Sequence, residues 1–285
     1  MQYHEILPDN FFSNHTECYW HLSAFENVDE PIKLLMPTCT FNIIFLDQAC
    51  FIKSTKDEQW VSLAPGPYFL GQRNFCVQIK SQKPLNIYGL RFKPFAFAEW
   101  FNTAAFKLND LFTPLVELFI INKTTSQLIE QILQPNKFDL KSQLLDEFMA
   151  TLFKRTLSID EKLRAQLNYI LERRGLAKIS DLFGEFKTSK VTLHKHFINK
   201  VGLSPKKVAQ IWRMNYFLQL KEEETSKNLT SLCLEAGFYD QSHFIKEFKL
   251  LFDLTPKKFF LNNVPLVKLE HYNIAKRFGN QYDPR

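Results

Sequence analysis

Hydrophobic and polar positions follow two different periods along this chain of 285 residues. In the first 94 residues, short β-branched and aromatic runs alternate with turn signals such as Pro65-Gly66-Pro67, a pattern typical of strands. The runs that predict strands are Thr40–Leu46, Gln59–Leu63, Tyr68–Leu70, Cys76–Lys80 and Leu85–Phe92. Many short strands at this spacing predict a sandwich or a barrel.

After Pro94 the apolar residues recur at helical spacing. Amphipathic helices are predicted over Phe95–Phe106, Thr125–Leu133 and Leu140–Leu157. The apolar stripe of the last helix is wide enough for helix packing. It can cover the strand-rich part of the same chain or form a dimer interface, and the sequence leaves both open.

From Asp160 onward the pattern is helical throughout, with capping and breaking residues between the periodic segments. The expected helices are Asp160–Arg174, Ile179–Phe186, Ser189–Lys200, Pro205–Glu223, Thr230–Ala236, Gln241–Leu251 and a last one from Thr255 to about Leu261. The fold class expected is therefore α+β. A strand-rich domain with a helical connector would span residues 1–158, and an all-α domain would span 159–262. The tail, 263–285, is unassigned.

Two segments of the helical part share one layout of a short helix, a tight turn and a second helix. In the later copy, Gly237 supplies the turn and Asp240 caps a helix whose Phe244 and Phe248 lie on one face. The opposite face then shows polar residues near the helix N-terminus. Such a helix fits the major groove of DNA, where side chains read base edges.

The distribution of charge supports a polyanionic partner. Residues 160–262 hold 18 of the 36 basic residues but only 12 of the 30 acidic ones. The whole net charge of +6 therefore lies in this region. A localised basic excess is typical of a nucleic-acid-binding module, although charge alone is equally compatible with a solvated basic domain.

Over about Ile179–Leu261 the sequence resembles the AraC/XylS family of transcription regulators. In the second copy the resemblance rests on Gly237-Phe238, Asp240-Gln241-Ser242-His243-Phe244, Phe248-Lys249 and Thr255-Pro256. In the first copy it rests on Ser189, Leu193, Lys195, Phe197, Gly202, Ser204-Pro205 and Arg213. The chain departs from the family pattern at Phe183, Lys187 and Phe217, where smaller residues are usual.

The resemblance implies which residues meet DNA. The residues expected to face bases are Val191, His194, Lys195, Gln241, Ser242, His243, Ile245 and Lys246. Those expected at phosphates are Ser189, Lys206, Lys207, Asp240, Lys257 and Lys258, with Ser189 and Asp240 acting mainly as helix caps. For each single residue the alternative is a solvated helix face.

The N-terminal half is similar, through Glu17-Cys18-Tyr19-Trp20, Pro37–Phe45, Phe69-Leu70-Gly71-Gln72 and Gly89–Pro94, to a sensor-like domain that often precedes this DNA-binding domain. A small-molecule pocket lined by the aromatic residues Trp20, Phe45, Phe69 and Phe92 is one hypothesis. The other is that these side chains are plain core. Arg91 is expected to meet an anionic ligand or to belong to a buried ion pair.

Other functional classes find little support in the sequence. The residues His4, His15 and His21 lack the spacing of metal ligands, and no nucleotide-binding glycine loop is present. The five cysteines form no CxxC pair, which favours a reducing cytoplasm and no structural metal. No secretory signal or membrane span is visible, and no cofactor is expected.

The sequence therefore predicts a cytoplasmic transcription regulator that binds double-stranded DNA and is gated by a small-molecule effector. The alternative is a regulator whose N-terminal domain only dimerises or binds a protein partner, and a DNA-modifying enzyme is a distant third. A homodimer is expected, with RNA polymerase as a further partner if the protein is an activator.

Overall fold

In the computed structural model, the structure describes residues 2–8, 11–24, 32–56, 58–96, 100, 103–134, 138, 141–153, 160–224 and 226–261. The described residues up to Pro114 form ten strands. They are β1 (Gln2–Ile6), β2 (Thr16–Ala24), β3 (Lys33–Leu35), β4 (Phe41–Leu46), β5 (Cys50–Ser54), β6 (Val61–Leu63), β7 (Gly66–Leu70), β8 (Val77–Lys80), β9 (Leu85–Phe92) and β10 (Phe112–Pro114). The five predicted strands are thus β4, β6, β7, β8 and β9, and the other five were not predicted.

The strands make two antiparallel sheets that face each other as a sandwich. One sheet has the order β1-β2-β9-β4-β7-β10 and the other the order β3-β8-β5-β6. Between them lies an apolar core that takes alternate residues from each strand, such as Leu22 and Ile44 from the larger sheet and Ile52 and Ile79 from the smaller one. Each strand contributes every second residue because successive side chains point to opposite faces.

Two helices, α1 (Lys123–Leu133) and α2 (Lys141–Leu152), cover the outer face of the larger sheet. Phe45 from the sheet meets Phe148 from α2, with ring centroids 5.1 Å apart. The predicted stripe residues Leu145, Phe148 and Met149 are all fully buried in this layer. Leu144 and Leu152 are partly buried against the same layer, so most of the stripe is covered within one chain. Leu140 and 154–157 of that predicted helix, and the middle of the one predicted over Phe95–Phe106, lie outside the described residues.

The C-terminal part is all helical. It contains α3 (Glu161–Glu172), α4 (Asp181–Glu185), α5 (Lys190–Val201), α6 (Pro205–Glu223), α7 (Leu229–Glu235), α8 (Gln241–Phe252) and α9 (Pro256–Leu261). Side chains cap α3, α5, α6, α7 and α8 at their N-termini by accepting a backbone N–H three residues on. These caps explain why the predicted starts agree with the observed ones, since a cap fixes where the backbone enters the helix. The α+β class is confirmed.

The strand-rich and helical parts are docked against each other at several points. The amide of Cys76 donates to the carbonyl of Leu251 at the end of α8 (2.9 Å), and Asn109 Nδ2 donates to the carbonyl of Gly202 after α5 (2.7 Å). Met36 and Cys39 are buried in the same apolar cluster as the helices. The N-terminal part therefore touches both helix-turn-helix units.

Candidate DNA-binding surface

The first helix-turn-helix unit is built from α4 and α5. The Ser189 hydroxyl accepts the amide of Thr192 (3.1 Å) and so fixes the start of α5. From that start, Leu193 and Phe197 fall on the buried face of the helix. The opposite face is exposed and carries the three residues predicted to face bases, which are Val191, His194 and Lys195.

The second unit is built from α7 and α8 in the same way. Gly237 adopts φ = +75°, a left-handed conformation that favours glycine. The Asp240 carboxylate then accepts the amide of His243 at 2.7 Å and caps α8, and Phe244 and Phe248 are fully buried. The outward face exposes four of the predicted residues, namely Gln241, Ser242, Ile245 and Lys246.

His243 differs from the other predicted base-facing residues. The Tyr239 amide lies 3.3 Å from its Nδ1, and its Nε2 lies 3.0 Å from the Glu247 carboxylate. Nδ1 accepts from the Tyr239 amide, which leaves Nε2 as the donor to the carboxylate. Both ring nitrogens are therefore engaged within the protein, and His243 is not placed to read a base unless these bonds break.

The joining helix α6 connects the two units. Ser204 caps it through the amide of Lys207 (3.1 Å), and Pro205 occupies its first turn, where a missing N–H costs nothing. Phe217, one of the departures from the family pattern, is fully buried, and its ring centroid lies 4.4 Å from that of Phe244. The large side chain fills the space between α6 and α8. At Lys187, a second departure, the backbone has φ = +44°, so a non-glycine residue occupies a left-handed position before α5.

The residues predicted at phosphates divide into two groups. Lys206, Lys257 and Lys258 are exposed, as are the two caps Ser189 and Asp240. Lys207 is only half-exposed, because it lies where the N-terminal part docks, with its Nζ 5.5 Å from the Phe75 ring centroid. Burial lowers the pKa of Lys207 from its usual value. Lys207 therefore lies between the N-terminal and helical parts, whereas the other predicted lysines lie on the open surface.

Two residues of this surface were not predicted from sequence. Tyr239 is 88% exposed in the turn just before α8, beside the face that carries Gln241 and Ser242. Glu247 is on α8 but buried, and Arg213 of α6 donates to its carboxylate. An aromatic residue directly before a capping Asp was an available signal for Tyr239. Nothing local marks Glu247 as buried, because Arg213, the cation that compensates it, lies on another helix.

The five predicted ligand-binding residues do not line one pocket. A cavity between the two sheets is lined by Trp20, and also by Asn42 and Arg73. In contrast, Phe45, Phe69 and Phe92 belong to the layer under α1 and α2, on the opposite face of the larger sheet. The reason is the two-residue alternation of strands, which sends odd and even positions to different faces. The residues expected to share one aromatic pocket therefore lie on both faces of the larger sheet, and of these Trp20 lines the cavity between the sheets.

Arg91 is fully buried on β9. Its guanidinium lies 3.1 Å from a Glu5 carboxylate oxygen and 3.6 Å from one of Glu17, and Nη2 donates to the Tyr3 hydroxyl at 3.0 Å. Of the two expectations for Arg91, the buried ion pair is the one found. Its positive charge is compensated by side chains from β1 and β2.

Within the described ranges, no group of three or more His, Cys, Asp or Glu side chains could hold a metal ion. The five cysteines are all buried and unbridged, and burial raises the pKa of the Cys233 thiol to about 12. No helix among those that the structure describes is both long and apolar enough to cross a membrane.

Two family models match the chain. Residues 182–262 match a family described as a helix-turn-helix domain, and residues 4–114 match one described as a domain of unknown function. The first match covers both units described above and confirms them. A search of curated proteins gave no match.

Several solved structures are similar to this chain. ToxT from Vibrio cholerae has 9% identity and a TM-score of 0.47, over 85% of this chain and 98% of that chain. ToxT of V. cholerae strain SCE256 bound to an unsaturated fatty acid has 13% identity and a TM-score of 0.44, over 86% and 97%. The AraC-like transcriptional activator CuxR has 11% identity and a TM-score of 0.26, over 78% and 87%.

Proposed function

The C-terminal part of this chain is an AraC-type helix-turn-helix domain, and from that premise we propose that the protein regulates transcription by reading two adjacent sites on duplex DNA. The observation that carries the proposal is the pair of exposed recognition faces, on α5 and α8, held by one continuous joining helix. The two helices would enter successive major grooves, about 34 Å apart along the duplex.

The exposed side chains on the two faces suit base recognition. Lys195 and Lys246 can pair with guanine edges, Gln241 with adenine, and Ile245 with a thymine methyl group. Outside the grooves, Lys257 and Lys258 would bind phosphates and make the affinity depend on salt. We propose residues 159–262 as the DNA-binding domain and 1–158 as the domain that regulates it. Regulation of transcription would take place in the cytoplasm, and RNA polymerase would be a partner if the protein activates its genes.

Selection from a library of random duplex DNA tests this proposal. The full-length protein should enrich a site with two blocks of base preference, one for each recognition helix. The affinity for that site should fall steeply as salt rises, because phosphate contacts release counterions. A folded protein that enriches no sequence and retains no DNA at low salt would refute the proposal.

We further propose that a small apolar molecule binds the N-terminal domain and thereby changes the DNA affinity of the C-terminal domain. The cavity between the sheets is lined by aliphatic side chains, with Asn42 accepting the indole N–H of Trp20 at 3.1 Å and with Arg73 at its edge. Its free volume of about 20 Å³ is close to what a single water needs. A larger ligand would therefore have to push the sheets apart.

Such a movement of the sheets could be passed to the second helix-turn-helix unit through one loop. The loop 71–76 leaves the cavity at Arg73 and ends at Cys76, whose amide bonds the end of α8. A displaced loop would shift the recognition helix that it touches. We propose this loop as the link between effector and DNA.

A thermal-shift screen of the full-length protein against apolar small molecules tests the gating. A true effector should raise Tm, since it binds only the folded state, and should also change DNA affinity. The Tm increase should be reduced in Trp20→Phe, which alters the cavity, and retained in Phe45→Leu, which lies across the same sheet. Equal Tm increases in both variants would place the ligand elsewhere.

The alternative, an N-terminal domain that only dimerises or binds a protein, is favoured by a different observation. Val116 is 65% exposed and Ile120 93% exposed, close together in the chain before α1. Contiguous exposed apolar patches mark contact surfaces, and in this alternative Val116 and Ile120 would form the centre of such a patch. Analytical sedimentation measures whether the full-length protein is a dimer. The double variant Val116→Ser with Ile120→Ser should convert such a dimer to a monomer. A wild-type protein that is monomeric with and without DNA would refute dimerisation.

A further inference from the structure

A buried carboxylate ties the second recognition helix to the joining helix. Arg213 of α6 donates from Nη2 to both oxygens of Glu247 on α8, at 2.8 Å and 2.7 Å. Gln210, one turn earlier on α6, donates to the same carboxylate at 3.1 Å. His243 of α8 lies 3.0 Å from it. We call these four residues the Glu247 network.

Stability alone does not explain this network. Glu247 is 6% exposed, and burying a carboxylate costs free energy unless donors compensate it. Apolar residues of similar size commonly stabilise a fold as well as a buried ion pair does, or better. An apolar contact, however, does not depend on the angle at which two groups meet, whereas a hydrogen bond does. Two donors from the joining helix, Arg213 and Gln210, hold this carboxylate and so restrain the rotation of the helix that carries it.

The Glu247 network lies next to the residues proposed to read bases, so it can determine how they are oriented. Glu247 follows Lys246 directly, and His243 lies between Ser242 and Ile245 in the α8 sequence. The guanidinium of Arg213 also lies 4.9 Å from the centroid of Phe238, which packs in the turn before α8. One side chain of the joining helix thus contacts the turn as well as the helix of the second unit.

We propose that Arg213 and Glu247 are positioning residues that set the base preference of the second recognition helix. The inference rests on the proposed DNA-binding function. Without the network, α8 would still pack through Phe244 and Phe248, but its polar face would no longer be held in one orientation. Base contacts need that orientation, whereas contacts with phosphates tolerate small shifts.

The test compares base preferences selected from the random duplex library by the full-length protein and its variants. Glu247→Gln keeps the shape and removes the charge. The double variant R213M/E247L replaces the ion pair by apolar side chains. Glu161→Gln removes an exposed carboxylate on α3 and is the control. A further variant, Lys246→Ala, identifies the base pairs of the selected DNA that are contacted by α8.

We expect Glu247→Gln and the double variant to flatten the preference at the α8 positions and to leave the α5 positions unchanged. Affinity for the selected site should fall about tenfold, the loss of roughly one good base contact, with an unchanged salt slope. A general loss of stability would weaken both halves of the site alike.

The results that overturn the inference are separate from those that refute the function. A folded double variant with the wild-type profile shows that the network does not position α8. If neither variant folds, as judged by circular dichroism, the network is a stabilising core element and the proposal fails. A wild-type protein that enriches no sequence refutes the proposed function before any variant is compared.

Discussion

Replacing Phe244 by Ala tests which face of α8 is buried. The Phe244 side chain is fully buried, and its ring centroid lies 4.4 Å from that of Phe217, 5.1 Å from that of Phe238 and 5.5 Å from that of Phe248. Removing it leaves a cavity among three aromatic rings that belong to the turn, the joining helix and α8 itself. A fully buried Phe replaced by Ala costs about 3–5 kcal/mol.

The assay is thermal unfolding followed by circular dichroism. At about 2–4 °C per kcal/mol for a chain of this size, a loss of about 4 kcal/mol lowers Tm by about 8–16 °C. The matched control is Ile245→Ala, one residue along the same helix, where the side chain is 36% exposed. That variant should keep its Tm within a few degrees and lose DNA affinity instead. An unchanged Tm for Phe244→Ala would mean that the helix face is wrongly assigned, and the residues proposed to read bases would have to be rotated with it.

Three further predictions follow from single contacts. Lys246→Ala should cost about 1–3 kcal/mol on the selected site and relax the preference at one base pair, whereas Lys258→Ala should weaken all sequences alike and lower the salt slope; identical specificity profiles would contradict this division. Gly175→Ala should lower Tm, because Gly175 has φ = +74° and a Cβ there would lie 2.2 Å from the Ala209 carbonyl oxygen, while Gly184→Ala, where the added Cβ meets open space, should not. Arg91→Met should cost about 3–5 kcal/mol by leaving the buried Glu5 and Glu17 carboxylates uncompensated; an unchanged Tm would contradict a stabilising role of this ion pair.

The helical part could be predicted closely because its boundaries are set by local chemistry. Ser204 followed by Pro205 fixes the start of α6, and Asp240 fixes that of α8, so the observed helices begin where these residues indicate. The exposed faces of α5 and α8 then follow from the 3.6-residue period. Strand β2 was missed although His21 and Ser23 alternate with apolar residues in its second half, because its first half, Thr16–Trp20, is buried at every position and carries polar and apolar residues in no alternating order.

The parts of the site that the sequence did not reveal depend on partners that are distant in the chain. His243 looks like an exposed polar residue near a helix start, but it is engaged by Glu247 and by the Tyr239 amide. Arg91 finds its carboxylates on β1 and β2, more than 70 residues earlier. Lys207 lies under the docked N-terminal part, which no local pattern indicates. Tertiary contacts, rather than periodicity, decide the roles of these residues.

The central claim is that α5 and α8 read two successive major grooves on one side of the duplex. Hydroxyl-radical footprinting of the full-length protein on its selected site measures this arrangement directly. We expect two protected blocks on the same face of the DNA, separated by about one helical turn of 10–10.5 base pairs, with Lys246→Ala weakening the block assigned to α8. A single protected block, or two blocks on opposite faces, would contradict the claim.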